Sequence, residues 1–333
     1  MYLGFKYHPI LVLFPEISLP MRIVRKNWRQ TNEPPLFEDY WPRDILLWNH
    51  TKQLKVLNDD RIDVFPGIAP WDRNGFWRRY AEILREKPSG YPVTAYLNAQ
   101  EADNGLIALQ YWFFYPYNDA KTVHEGDWEH CIVYLNAKEE PIAMGYAAHR
   151  YGFRLPWRLT EHRGNHPLVY VAQGSHASYP YGPGQLETFL DFAGTRFFSG
   201  KIPGTKDFID HVASAKLPDY SSYYGVEVNP SIKLGTWGFK GHWGTIGLHG
   251  LVQKLIPSLL KKHIYSWGGY ETPTTPRSRP NWDDPFAWLD EKCVEPVFTK
   301  PWLELIDQPE VAVVAEVLAS PALKLDTIVT DAS

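Results

Sequence analysis

Asp127 and Glu129 lie two residues apart in HEGDWEHCIVYL, residues 124–135, and this run has the composition of a strand. Extended chain points alternate side chains to opposite faces, so Asp127 and Glu129 share a face with Cys131, Val133 and Leu135. Trp128, His130, Ile132 and Tyr134 then take the other face. Two like charges on an aromatic-flanked strand repel unless a cation or a proton sits between them. His124 lies just upstream, and Gly126 permits a bend that swings His124 onto the same point. Two carboxylates and one imidazole form a donor set for Mg²⁺, Mn²⁺ or Ca²⁺, or for Zn²⁺ or Fe²⁺ if more histidines join. His149, after the strand text PIAMGYAA, and His176, in VYVAQGSHASY, are the candidates to join. The plain alternative is that Asp127 and Glu129 are a solvated strand face and that each histidine is a turn residue.

Such a site needs strands that end together, and the chain supplies strand text from Pro92 onward. VTAYLNA and LIALQYWFFY flank Asn104-Gly105, a strong hairpin signal, and DWEHCIVYL, PIAMGYAAH and HPLVYVAQ follow. Residues 76–86 read as a short amphipathic helix after Asn74-Gly75, stopped by Pro88. Segments 186–190, 251–263 and 310–319 read as helical, and the proline-rich 271–285 as irregular. The expected fold is mainly β: an antiparallel β-sandwich core with peripheral α-helices and long Pro/Gly-rich loops. Residues 1–90 form an N-terminal helical or irregular extension packed on the core. Residues 91–290 form the sandwich with the metal site, and residues 291–333 a C-terminal helical extension.

The 333 residues carry 34 Lys and Arg against 38 Asp and Glu, a net −4 that offers no basic footprint for nucleic acid. At 44% hydrophobic and 22% charged the chain is globular rather than disordered. The 14 Trp and 20 Tyr beside 3 Met suit rigid aromatic surfaces with polar tips. Gly-rich strand-to-helix turns are missing, which argues against nucleotide chemistry. Ser175 precedes His176 with no G-x-S-x-G elbow, which argues against serine hydrolysis. Ser258 and Lys261 match S-x-x-K but read as a helix cap and a solvated face. Lys254, Lys261, Lys262 and His263 could touch anionic lipid, although a solvent-facing helix explains them as well. Cys131 and Cys293 allow at most one long-range disulfide. The apolar stretch Ile10 to Phe14 is closed by Pro15, short of the roughly 7–15 residues of a secretory signal, so a cytoplasmic location is expected, with vacuolar or peripheral membrane association as alternatives.

The ordered series QYWFFYPYN, HEGDWEHCIVYL, the strand ending at His149, HPLVYVAQGSHASYPYGPG, Trp237-Gly238 and Trp243-Gly244 resembles the vacuolar protein sorting 62-like domain family over roughly residues 90–290. More distantly, Val123 to Glu129 is similar to the GHRHDWE heptad of the necrosis- and ethylene-inducing peptide-like proteins, with Glu125-Gly126 in place of Arg-His. That second resemblance implies a β-sandwich with a divalent ion on one rim. Its ligands fall on His124, Asp127 and Glu129, with an upstream position near Asn118 or Asp119.

The leading expectation is a divalent-metal-dependent hydrolase or lyase acting on a small organic or glycosidic substrate. His124, Asp127, Glu129 and Asn118 hold the ion, His149 and His176 complete its sphere or exchange protons, and Asp119 or Glu125 orients water. Trp112, Tyr115, Trp128 and Arg150 wall the substrate. The alternatives are a metal-dependent glycan or lipid-headgroup binder without turnover, and a purely structural ion.

Overall fold

The computed structural model describes residues 1–13, 41–45, 55–58, 61–69, 72–86, 91–118, 124–148, 151–172, 174–180, 188–190, 196–198, 226–235, 239–245 and 272–294. Strands dominate. They are, in chain order, β1 Ile10–Leu13, β2 Lys55–Asn58, β3 Arg61–Asp63, β4 Thr94–Glu101, β5 Ile107–Asn118 and β6 His124–Leu135. Then come β7 Pro141–Ala148, β8 Tyr151–Pro156, β9 His162–Arg163, β10 His166–Val171, β11 Ser178–Tyr179, β12 Thr188–Leu190 and β13 Arg196–Phe198. The series closes with β14 Val226–Val228, β15 Ser231–Leu234, β16 His242–Trp243 and β17 Cys293–Val294.

Seven strands form one sheet in the order β15-β4-β5-β6-β7-β8-β17. Its centre is antiparallel, built by consecutive hairpins, and its two edge strands β15 and β17 run parallel to their neighbours. The β4-β5 hairpin turns at Asn104-Gly105, where the Asn104 side chain accepts from the Leu106 N–H at 3.2 Å. A second sheet has the order β11-β10-β1-β14, with β9 on β10. The two sheets enclose one apolar core. Leu11, Val12 and Leu13 of β1 and Leu168, Val169 and Tyr170 of β10 pack against Leu109, Tyr111 and Phe113 of β5, Cys131 and Val133 of β6, and Met144 and Tyr146 of β7. This is the expected β-sandwich, with parallel pairs added at the β1-β10 contact and the sheet edges.

The outer face of the large sheet is covered too. The helix Arg73–Glu86, whose first turn is capped by Asp72 accepting from the Gly75 N–H at 2.9 Å, lays Phe76, Tyr80 and Ile83 against Trp112, Phe114, Tyr117 and Trp128. Further along, the helix Pro285–Lys292 packs Leu289 against Ala108, Ile132 and Tyr134. Burial on both faces explains why β5 reads as a nearly unbroken apolar run rather than as an alternating one, and it buries even the charged first half of β6.

Several expectations are corrected. Residues 186–190 contribute the strand β12, paired with β13, where a helix was expected: a lone Glu-Thr-Phe-Leu run is too short for periodicity to choose between the two. Within 271–285, expected to be irregular, Pro280–Asp283 forms a helical turn, with proline at its first position where the missing N–H costs nothing. Residues 1–13 supply β1, a central strand of the second sheet. The segments 251–263 and 310–319 lie outside the described residues. Cys131 and Cys293 are both free and buried, and they belong to clusters on opposite faces of the sheet, so no bond joins them. Titration of the unreduced protein should therefore count two thiols in denaturant and almost none in the native state. A denatured, unreduced sample without free thiol would refute this packing.

Candidate functional site

From Asp127 to Leu135 the β6 faces fall as alternation predicts. Asp127 and Glu129 lie opposite Tyr115 and Phe113, on the sandwich face with Cys131, while Trp128 and His130 lie opposite Phe114 and Trp112 on the outer face. The alternation then inverts. Tyr115 pairs with Asp127 and Tyr117 with Glu125, which leaves Pro116 and Gly126 facing each other. Gly126 has φ +61°, a left-handed conformation. Beyond this pair Tyr117 belongs to the outer cluster although Tyr115 belongs to the inner one. The even positions Asn118 and His124 now share the side of Asp127, and Glu125 turns to the other side. A Cβ at Gly126 would also lie 2.6 Å from the Trp243 carbonyl oxygen, so the close approach of β16 needs glycine as well.

On the inner side the centre is Asp127, which is 5% exposed. Its Oδ2 accepts from Asn118 Nδ2 at 2.9 Å and from His176 Nδ1 at 3.0 Å. Its Oδ1 accepts no hydrogen bond from the described residues. Burial opposes ionisation, but the His176 hydrogen bond, the His124 and His176 charges and Asn118 outweigh it and hold the carboxyl below its ordinary value. Asp127 is therefore an anion at neutral pH. His124 donates Nδ1–H to the Gly126 carbonyl at 2.8 Å, since a carbonyl only accepts, and this leaves the Nε2 lone pair bare in the neutral ring.

His176 is 0% exposed and lies flat on Tyr115, with ring centroids 4.0 Å apart and planes 5° apart. A tight turn aims it: the His176 N–H donates to the Ala172 carbonyl at 2.9 Å, and its own φ is +59°, unusual for a side-chain-bearing residue. Asn118 Nδ2 also reaches the Ser175 carbonyl at 3.5 Å. Strand β6, the end of β5 and the 172–177 turn thus converge on one carboxylate.

On the opposite side Glu125 is 0% exposed. Burial first, and then the charge of Asp63, push its carboxyl up to about 8, against the backbone N–H groups of Thr245 and Val64. The Thr245 N–H lies 2.8 Å from its Oε2. Arg279, which no sequence pattern singled out, donates to the Trp128 carbonyl at 3.0 Å and rests over the Trp112 ring at 5.5 Å. Burial lowers its pKa, while the charges of Glu129 and Asp127 work the other way. It comes from the proline-rich 271–285, where no period places a side chain.

Of the expected site residues, the structure brings together Asn118, His124, Asp127 and His176. It sets Glu125 apart, and Glu129 stands two residues along the same face as Asp127. Trp112, Tyr115 and Trp128 are buried in two separate clusters, and core packing accounts for them. Asp119, His149 and Arg150 lie outside the described residues. Among the described residues no three His, Cys, Asp or Glu side chains gather as a set that could hold a metal ion. For a divalent cation, the described residues thus offer two oriented donors, Asp127 Oδ1 and His124 Nε2, and not a full set.

Vacuolar protein sorting-associated protein 62 of Saccharomyces cerevisiae is 25% identical over 302 residues, an overlap of 71% of this chain. The chain is similar to vacuolar protein sorting 62. It spans 63% of that relative's length. No family model matches the chain. Among solved structures, NLPPya in complex with glucosamine is 15% identical, with 52% of this chain and 61% of that chain covered at a TM-score of 0.28. Necrosis and Ethylene inducing Protein 2, from the causal agent of cocoa's Witches Broom disease, is 14% identical, with 54% and 65% covered at a TM-score of 0.28. Overlaps at these TM-scores carry no argument about function, and the fold rests on the sheets themselves. Among the described residues no helix is long and apolar enough to cross a membrane.

Two substitutions test this geometry. Gly126→Ala must place a Cβ against the Trp243 backbone in a left-handed conformation, and should cost about 2–4 kcal/mol in urea unfolding; a cost below about 0.5 kcal/mol would show that the inversion does not depend on glycine. Glu125 carries a folded pKa of about 8, above its ordinary 4.5. The stability linked to its protonation is therefore complete below pH 4.5 and lost as pH rises to about 8. Glu125→Gln should leave stability at pH 4 nearly unchanged and raise it at pH 9 by on the order of a few kcal/mol. Parallel stability–pH curves for parent and variant would place Glu125 in water.

Proposed function

We propose that the rim where β5 and β6 invert is a cation-dependent binding site for an oxygen-rich ligand, of the glycan or lipid-headgroup class. One observation carries this reading. Asp127 is anchored through Oδ2 from two sides and keeps Oδ1 unused by the described residues, beside a His124 ring whose tautomer leaves Nε2 bare. A ligating histidine commonly ties its other ring nitrogen to a backbone carbonyl in this way. When bound, a divalent ion would supply positive charge to ligand oxygens. This chain's residues do the rest: His176 and Asn118 fix the carboxylate, and Glu129 adds negative charge on the same face. The remaining donors come from the ligand itself or from water.

Binding is favoured over turnover by where the proton-exchanging groups lie. Catalysis needs a titratable side chain beside an open position. Yet His176 and Glu125 are both 0% exposed, and Glu125 faces away from Asp127. The aromatic residues expected to wall a substrate are core residues.

Calorimetry on the untagged full chain should find binding of Ca²⁺, Mn²⁺ or Zn²⁺ that weakens at least tenfold in Asp127→Asn and in His124→Ala. An array of glycans and lipid headgroups should give binding that chelator removes. Unchanged metal affinity in both variants would overturn the site. Chelator-sensitive product formation on a substrate panel would overturn the binding-only reading in favour of a hydrolase or lyase.

A further inference from the structure

A second pair of imidazoles stands far along the chain from the Asp127 rim, at the start of the parallel β1-β10 pair. The β1-β10 register pairs Ile10 with Leu168. Continued back by two residues it sets His8 beside His166. The two rings lie 4.1 Å apart between centroids, with planes at 50°, and both side chains are half-buried. Each ring is oriented by a backbone carbonyl. His8 Nδ1 meets the Phe5 carbonyl at 2.8 Å, and His166 Nδ1 meets the His8 carbonyl at 3.0 Å. A carbonyl cannot donate, so Nδ1 carries a proton in both rings, and the neutral form of either ring keeps its lone pair on Nε2. The bond from His166 to the His8 backbone also locks the two positions together.

We propose that His8 and His166 bind a divalent transition-metal ion of the zinc, nickel or copper kind through their Nε2 atoms. The donors suit that class: imidazole is the ligand such ions take, whereas Mg²⁺ and Ca²⁺ take oxygen. The second coordination layer is already built, because each ring's other nitrogen is held by a backbone carbonyl. Burial, and then the neighbouring His166, hold His8 below its ordinary pKa against the hydrogen bonds of Phe5 and Asn229, so the ring is in the neutral, ligating form. Water completes the sphere. The bound ion clips the chain that follows the helix Tyr2–Lys6 to the first residue of β10, and so fastens the one parallel contact inside the second sheet.

The test uses the untagged full chain, titrated with Zn²⁺ and Ni²⁺ in parent, His8→Gln, His166→Gln and Asp127→Asn forms. Beside any ion held at the rim, one equivalent should persist in Asp127→Asn and weaken at least tenfold when His8→Gln or His166→Gln is added to it, with an excess of Mg²⁺ failing to compete. Saturation should raise the melting temperature of Asp127→Asn and not of the same variant carrying either histidine change. Since glutamine could disturb the local fold, copper spectroscopy on Asp127→Asn gives a second readout: pulsed electron paramagnetic resonance should show two imidazole nitrogens on the bound Cu²⁺. Zinc isotherms unchanged in both histidine variants, or copper without imidazole coupling, would overturn the proposal. Loss of binding in Asp127→Asn alone would assign the ion to the rim instead.

Discussion

The arrangement of this protein turns on the pairing of Pro116 with Gly126. A strand buried on both faces has no solvent side to absorb a mistake, so every side chain along β6 must fit one of two packed layers. The inversion at Gly126 exchanges the two layers within one residue. On the Tyr115–Asp127 side of it, the odd positions of β5 and β6 face the sandwich. On the Tyr117–Glu125 side, they face the outer cluster with Phe76 and Trp243. The inversion costs little because both special residues sit at the same rung. Proline offers no N–H to the ladder there, and glycine carries no Cβ to clash with the Trp243 backbone.

Two carboxylates two residues apart therefore end up in opposite states. Asp127 accepts hydrogen bonds from His176 and the Asn118 amide, with His124 nearby, and stays charged although buried. Glu125 is set beside Asp63 in an apolar surround and holds its proton up to about pH 8. The difference lies in what each environment returns for the lost hydration: hydrogen bonds to the charged form in one case, a like charge and little compensation in the other. Gly244, with φ +119°, is packed against Glu125 just as Gly126 is against Trp243, so the β16 segment and β6 fit together through two glycines.

Histidine tautomers give the two candidate ion sites a common logic. His124, His8 and His166 each spend Nδ1–H on a backbone carbonyl, and so each presents Nε2. His176 and His130 do not follow that pattern. His176 gives Nδ1 to a carboxylate from beneath, and His130 stacks on Trp112 at 4.1 Å while Asn281 meets its Nε2 at 2.9 Å. Those two are cemented into the core, and burial holds the His130 ring neutral. Which nitrogen a histidine leaves bare is decided by the carbonyl beside it.

The amino-acid sequence alone determined the four consecutive strands β4 to β7 of the large sheet, the Asn104-Gly105 hairpin, the amphipathic helix ending at Glu86 and the shared face of Asp127 and Glu129, because each rests on short-range period and turn chemistry. It also flagged Gly126 as a bend that could bring His124 round to Asp127. Tertiary structure alone decided the rest. That Glu125 leaves the site follows from the rung that Gly126 shares with Pro116, ten residues away in the chain and visible only once β5 and β6 are in register. That His176 buttresses Asp127 from below rather than facing solvent depends on the second sheet closing over Tyr115. That Arg279 joins the outer face, that Cys131 and Cys293 lie on opposite sides, and that His8 meets His166 all come from contacts between segments far apart in sequence. Periodicity carries no information about such contacts, because it reports which face a residue takes and not what the fold brings to that face.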